Sequence, residues 1–172
     1  VVGVTLSSPA GVSPVVPLVH DSDLDWAETD EGDARFRRKR LGAAAGGDGL
    51  GASLYELPPG EQSWPYHYHT GNEEAIYVLA GEGLLVLDGD EHAIETGHYA
   101  SFPPDESGGH RVVNDADAPL RYLAVSTMND PDVTVYPETE KIGVYAGAPP
   151  GDHGERLVDG YYDRDATVDY WE

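Results

Sequence analysis

Three histidines and one glutamate stand at spacings that suit a metal centre. His67-Tyr68-His69 puts two imidazoles two residues apart. On an extended strand, residues i and i+2 point to the same side about 6.6 Å apart, close enough to share one ion. Glu74 follows after the turn Thr70-Gly71-Asn72; if that turn sends the chain back antiparallel, its carboxylate faces the imidazoles. His110, on a later extended run, offers a third nitrogen. Three imidazoles and one carboxylate suit a divalent transition metal (Fe, Mn, Ni or Zn) with positions left open for another ligand.

Such a cluster needs strands to hold it, and the chain is patterned for strands. From Leu50 onward, short runs rich in Val, Leu, Tyr and Ala recur, divided by Gly, Pro, Asp and Asn. They place strands at about 50–57, 62–69, 74–80, 83–88, 91–96, 99–103, 109–114 and 120–127, with further short ones at 133–136 and 141–145. Asp88-Gly89-Asp90 reads as a hairpin turn, because Gly tolerates positive φ. No stretch from 50 to 145 keeps a long 3.6-residue period, so the fold is expected to be all-β, a sandwich or barrel. Residues 1–49 read as an irregular N-terminal extension that packs on the barrel or on a partner subunit, 50–145 as the barrel, and 146–172 as a polar C-terminal tail. The extension holds the basic run Arg35-Phe36-Arg37-Arg38-Lys39-Arg40, which carries five of the ten Lys and Arg residues.

Charge and composition narrow the function further. The 172 residues include 32 acidic and 10 basic side chains, a net charge of −22. A surface of this sign repels phosphate backbones, so nucleic acid is excluded as an expected partner. Acid in such excess, with only two lysines, is expected of a halophilic protein, since molar salt shrinks the Debye length to a few ångströms. Cysteine is absent, which removes disulfides, thiolate ligands and cysteine nucleophiles together. No apolar run approaches the ~20 residues of a membrane span. The first twenty residues lack a basic leader, and a cytoplasmic location is expected. A phosphate-binding Walker loop, a dinucleotide fingerprint and a Gly-X-Ser-X-Gly elbow are all missing.

The residues around the histidines resemble the two motifs of the cupin superfamily. Gly60 to Gly81 resembles the first: a glycine, His67-X-His69, then Glu74 with four residues after His69 and six before Gly81. Gly97 to Asn114 resembles the second, with Gly97, Pro103, His110 and Asn114 in order. Two departures stand out. Six residues separate Gly60 from His67 where the pattern has five, and the loop from Pro104 to Gly109 is two longer, with Asp105 in a glycine's place.

This resemblance implies a double-stranded β-helix (jelly-roll) barrel binding a metal through His67, His69, Glu74 and His110. Glu73 is the neighbouring alternative to Glu74; spacing to Gly81 favours Glu74. Strand parity puts Pro65, Ile76, Val78, Val112 and Asn114 on the metal side, a mostly apolar wall, with Asn114 a structural hydrogen-bonder. Leu84 and Val86 are expected inward, and Ala75, Tyr77 and Leu79 outward. A sheet apolar on both faces needs cover, and together with the family habit this implies a homodimer. The basic run is expected to pair with the acidic surface, to sit in a dimer interface, or to hold an anionic ligand at the barrel mouth. The function implied is a metallo-enzyme acting on a small organic molecule. Oxygen-dependent cleavage is preferred over decarboxylase, isomerase or lyase chemistry because no general base is evident. The alternative is a non-catalytic sugar- or small-molecule-binding cupin.

Overall fold

A computed structural model describes residues 17–150 and 155–171 of the chain. Most of the first twenty residues, on which the cytoplasmic expectation rests, lie outside these residues. The strands, in chain order, are β1 (Ala27–Glu31), β2 (Ala34–Arg40), β3 (Leu50–Leu57), β4 (Tyr68–His69), β5 (Glu74–Ala80), β6 (Glu82–Leu87), β7 (Asp90–Glu95), β8 (Tyr99–Phe102), β9 (His110–Val113), β10 (Leu120–Thr127), β11 (Asp132–Tyr136), β12 (Lys141–Ala146) and β13 (Val158–Asp163). The α1 helix (Leu41–Ala44) is a single turn, and no helix among the described residues is long and apolar enough to cross a membrane.

Two facing layers make a jelly roll. One is a six-stranded sheet in the order β1-β2-β3-β10-β5-β8. The other combines β13-β12-β11-β4 with β7-β6-β9, joined where His67 and His110 pair. Phe36, Leu57, Val78 and Leu120, each almost fully buried, fill the space between the layers. Burying each such side chain contributes about 1.5–3 kcal/mol. The β6–β7 turn forms at Asp88-Gly89, where both residues have positive φ (49° and 81°), the backbone that a two-residue hairpin loop requires.

The stretch read as irregular between 1 and 49 holds a β-hairpin. Strands β1 and β2 pair through the two-residue loop Gly32-Asp33, and β2 then pairs with β3. Its charged alternation hid it: Ala34 and Phe36 are buried while Arg35 between them is exposed, the period of a half-buried strand carried by residues of modest β propensity. The expected strand at 62–69 shrinks to Tyr68–His69, because Gln62 and His67 make only isolated bridges. In the tail, β13 pairs with β12 and extends the second layer. The parity expected for β6 is reversed. Leu85 stands opposite Val112 and Leu87 opposite His110, and residues directly opposite share a face, so Leu85 and Leu87 point inward.

Candidate metal centre

His67 and His110 face each other across a narrow backbone pair, each N–H donating to the other's carbonyl at 3.2 and 2.9 Å. Their rings emerge on the same side with centroids 4.9 Å apart. His69, two residues on, projects from the same face, and its ring stands 5.3 Å from that of His67. Glu74 reaches in from the opposite layer, at the start of β5 between Ser126 and Phe102. Its Oε2 lies 3.9 Å from His67 Nε2, 3.6 Å from His69 Nε2 and 3.6 Å from His110 Nε2. The ligand atoms of His67, His69 and Glu74 all lie within 4.8 Å of one another. Glu73, the neighbouring carboxylate, is exposed and turned away.

The outer nitrogens decide which ring atom is free. His67 Nδ1 donates to the Pro65 carbonyl (2.8 Å), His110 Nδ1 to the Gly108 carbonyl (3.0 Å), and His69 Nδ1 to the Asp132 carboxylate (2.5 Å), with Thr134 Oγ1 at 3.1 Å. A neutral imidazole whose Nδ1 carries the proton has its lone pair on Nε2. All three lone pairs therefore turn toward Glu74. Bonds of about 2.1 Å set neighbouring ligand atoms roughly 3.0–3.4 Å apart. The three carboxylate-to-imidazole separations exceed that by a few tenths of an ångström. His67, His69 and Glu74 form a group that could hold a divalent ion, with His110 Nε2 beside Glu74 but outside that mutual group.

Burial works in the same direction. It pushes the His67 ring well below the usual imidazole range, helped by the neighbouring His110 and His69, and it lowers His110 as well. At His69 burial acts downward too, but the hydrogen bond to Asp132 and the charges of Glu74 and Asp132 outweigh it and raise the ring. Asp132 itself is held low: burial opposes its ionisation, and its hydrogen bonds to His69, Asn72 and the Gly71 N–H overcome that.

The cluster lies in a cavity of about 380 Å³ between the two layers. Ile76 and Val112 line its metal end as expected; Val78 is buried in the core instead, and Phe102, stacked 3.7 Å from the His110 ring, completes the apolar wall. Pro65 is exposed and only its carbonyl serves the site; Ser63 and Trp64 line the cavity instead, since residues 63–66 leave the extended path. Asn114 is fully buried and donates to the Leu57 and Ala118 carbonyls, a structural role. Hydroxyls also line the cavity: Tyr122 and Ser126 from β10, whose inward face the sequence left unassigned, and Tyr136 from β11 and Tyr161 from β13, which it missed. Burial holds the Tyr122 phenol well above its ordinary value and that of Tyr136 up at about 12, so both are protonated donors at neutral pH. Asp132 was missed as well. Nothing local to residue 132 announces a partner that lies 63 positions away.

The match to known proteins falls on the same segment. The cupin domain model matches residues 53–126. This chain carries a cupin domain. The chain is 32% identical over 80 residues to an uncharacterized protein of Methanocaldococcus jannaschii, covering 45% of this chain and 62% of that protein. It is 36% identical over 70 residues to the oxalate-binding protein of Thermotoga maritima, covering 41% of this chain and 55% of that one. The matched segments thus span little more than half the length of these two relatives. Among solved structures, a candidate sugar phosphate isomerase from Acidithiobacillus ferrooxidans superposes with a TM-score of 0.75 at 28% identity, over 89% of this chain and 96% of that one. A cupin-superfamily sugar phosphate isomerase from Silicibacter pomeroyi does so with a TM-score of 0.75 at 25% identity, over 88% and 95%. The likeness to the isomerases therefore takes in the cupin barrel and most of the segments flanking it.

Proposed function

We propose that this cupin holds a divalent metal through His67, His69, Glu74 and His110 and catalyses a metal-dependent isomerisation of a small hydroxylated carbonyl compound. The observation that carries this reading is the convergence of three Nε2 lone pairs and one carboxylate oxygen at the bottom of a cavity ringed by hydroxyls. A bound divalent ion there supplies Lewis acidity toward a carbonyl or hydroxyl oxygen. The side chains supply the rest. Tyr122 and Tyr136, kept protonated, donate hydrogen bonds to developing negative charge on substrate oxygens. Ile76, Phe102 and Val112 exclude water from the reacting end. The two isomerase-like structures, similar along most of the chain, favour this reading over oxygen-dependent cleavage.

Elemental analysis of protein purified without nickel resin tests the centre, with His110→Ala as the comparison. A panel of aldose and ketose phosphates, assayed by product chromatography on stripped and reloaded protein, tests the reaction. One metal per chain and metal-dependent interconversion support the reading, and full metal with no turnover overturns its catalytic half. The binding-only reading draws on the oxalate-binding relative; it expects a rise in melting temperature with oxalate and no product. In the same reading the protein is a halophilic, cytoplasmic homodimer, its exposed Tyr77, Leu79 and Tyr99 covered by a second copy.

A further inference from the structure

The basic run of β2 is divided by strand parity, and its two halves do different things. Arg35 and Arg37 point outward and meet carboxylates: Arg35 pairs with Asp30 and Glu61, Arg37 with Glu56. Arg38 and Arg40 point inward and line the same cavity as the histidines. Arg38 is half-buried, yet no carboxylate among the described residues lies within ion-pair distance of it. That is unusual in a chain with 32 acidic residues. Its neighbours are neutral: the Tyr55 hydroxyl at 3.3 Å, and the Trp64 ring with its centroid 5.3 Å away. Trp64 Nε1 donates to the same Tyr55 hydroxyl at 3.1 Å. These contacts position the guanidinium, but they do not neutralise a charge withdrawn from water, and such withdrawal is costly without a counter-charge.

The register says where this charge stands relative to the metal centre. Arg38 is opposite Tyr55, Tyr55 opposite Tyr122, and Tyr122 opposite Val78 on β5; Arg40 heads the next inward row, through Ser53 and Ala124 to Ile76. Glu74 begins the row after that. From β2 to β5 is three strand spacings, roughly 14 Å across the strands, and Arg38 stands two rows, roughly 13 Å along them, from the Glu74 row, with Arg40 one row nearer. The long Arg side chains shorten that gap, so a ligand of a few carbons bridges both ends. Besides Glu74, the carboxylate lining the cavity is Asp48, exposed on the loop at its mouth.

We infer that Arg38, assisted by Arg40, forms an anion-binding subsite across the cavity from the metal centre, and that the ligand carries a phosphate or carboxylate group at the end remote from its metal-facing oxygens. Planar guanidinium donors match the paired oxygens of either group. The inference deepens the proposed function, since it specifies the substrate's second end, but it makes a claim that holds without metal.

The test uses chelator-stripped full-length protein, titrated calorimetrically with inorganic phosphate, with succinate and with uncharged ribitol. The parent is expected to bind phosphate or succinate and not ribitol; which of the two binds identifies the anion. Arg38→Gln is expected to weaken that binding at least tenfold, with unchanged circular dichroism and with metal uptake retained on reloading. Arg38→Lys, a point charge without the fork, is expected to fall between the two and serves if Arg38→Gln fails to fold. Failure of both anions to bind the stripped parent, or equal binding by parent and Arg38 variants, overturns the subsite. A protein that takes up no metal but loses anion binding with Arg38→Gln overturns the metal reading and leaves the subsite standing.

Discussion

Replacing Asp132 by asparagine keeps the shape of a buried side chain while reversing one polar contact. The two oxygens of the aspartate accept from different donors, Oδ2 from His69 Nδ1 at 2.5 Å and Oδ1 from the Gly71 N–H at 2.9 Å. An amide has one oxygen and one NH₂, so in either orientation a donor meets a donor. If the NH₂ faces His69, the ring must move its proton to Nε2, and Nε2–H then points at Glu74 where a lone pair is needed. If the oxygen faces His69, the Gly71 N–H loses its acceptor. A hydrogen bond to a charged group contributes about 1.5–3 kcal/mol. Loss of a carboxylate behind a metal-binding imidazole typically weakens affinity about 10–100-fold, or about 1.4–2.8 kcal/mol. The two ranges agree, so Asp132→Asn is expected to weaken metal binding by one to two orders of magnitude. Calorimetric titration of stripped protein with Mn²⁺ and Zn²⁺ measures this, alongside the melting temperature of the metal-free forms. Parent-like affinity for both ions in a folded Asp132→Asn variant would show that the His69 tautomer does not depend on Asp132, and the account of the three outer acceptors would fail at its strongest contact.

Other expectations follow from the same geometry. His67 has a folded-state pKa below its unfolded value, so between the two the unfolded chain binds more protons and stability falls as pH is lowered through that window. In stripped protein, His67→Phe is expected to flatten the fall by up to about 1.4 kcal/mol per pH unit below pH ~6.5, read by urea melts at several pH values; an unchanged slope refutes it. Gly108→Ala would set a Cβ 2.0 Å from the Pro103 carbonyl, so it is expected to destabilise by about 1–3 kcal/mol and to weaken metal binding by shifting the acceptor of His110; a thermal melt and a Zn²⁺ titration check both. With a net charge of −22, the melting temperature is expected to be higher in molar KCl than at low salt, and equal values would end the halophile reading. Light scattering is expected to give twice the 18.5 kDa chain mass, and the single-chain value would refute the dimer.

What the sequence by itself determined is local. Period-two alternation placed β3, β5 and β10 at the residues where they lie, and the Asp88-Gly89 turn followed from the need for positive φ. The i, i+2 spacing put His67 and His69 on one face, and the glycine spacing chose Glu74 over Glu73. Each of these depends on neighbours a few bonds away, which the order of residues records directly. Tertiary structure decided what depends on pairing between distant segments. Parity within β6 could be read either way until its register with β9 turned Leu85 and Leu87 inward. The hairpin of β1 and β2 was hidden because its alternation is written in charges, which mark a strand only once a sheet edge is there to receive it. Asp132 behind His69, and Arg38 facing the cavity while Arg37 faces Glu56, come from cross-strand contacts spanning tens of residues, and no single stretch of chain contains both partners.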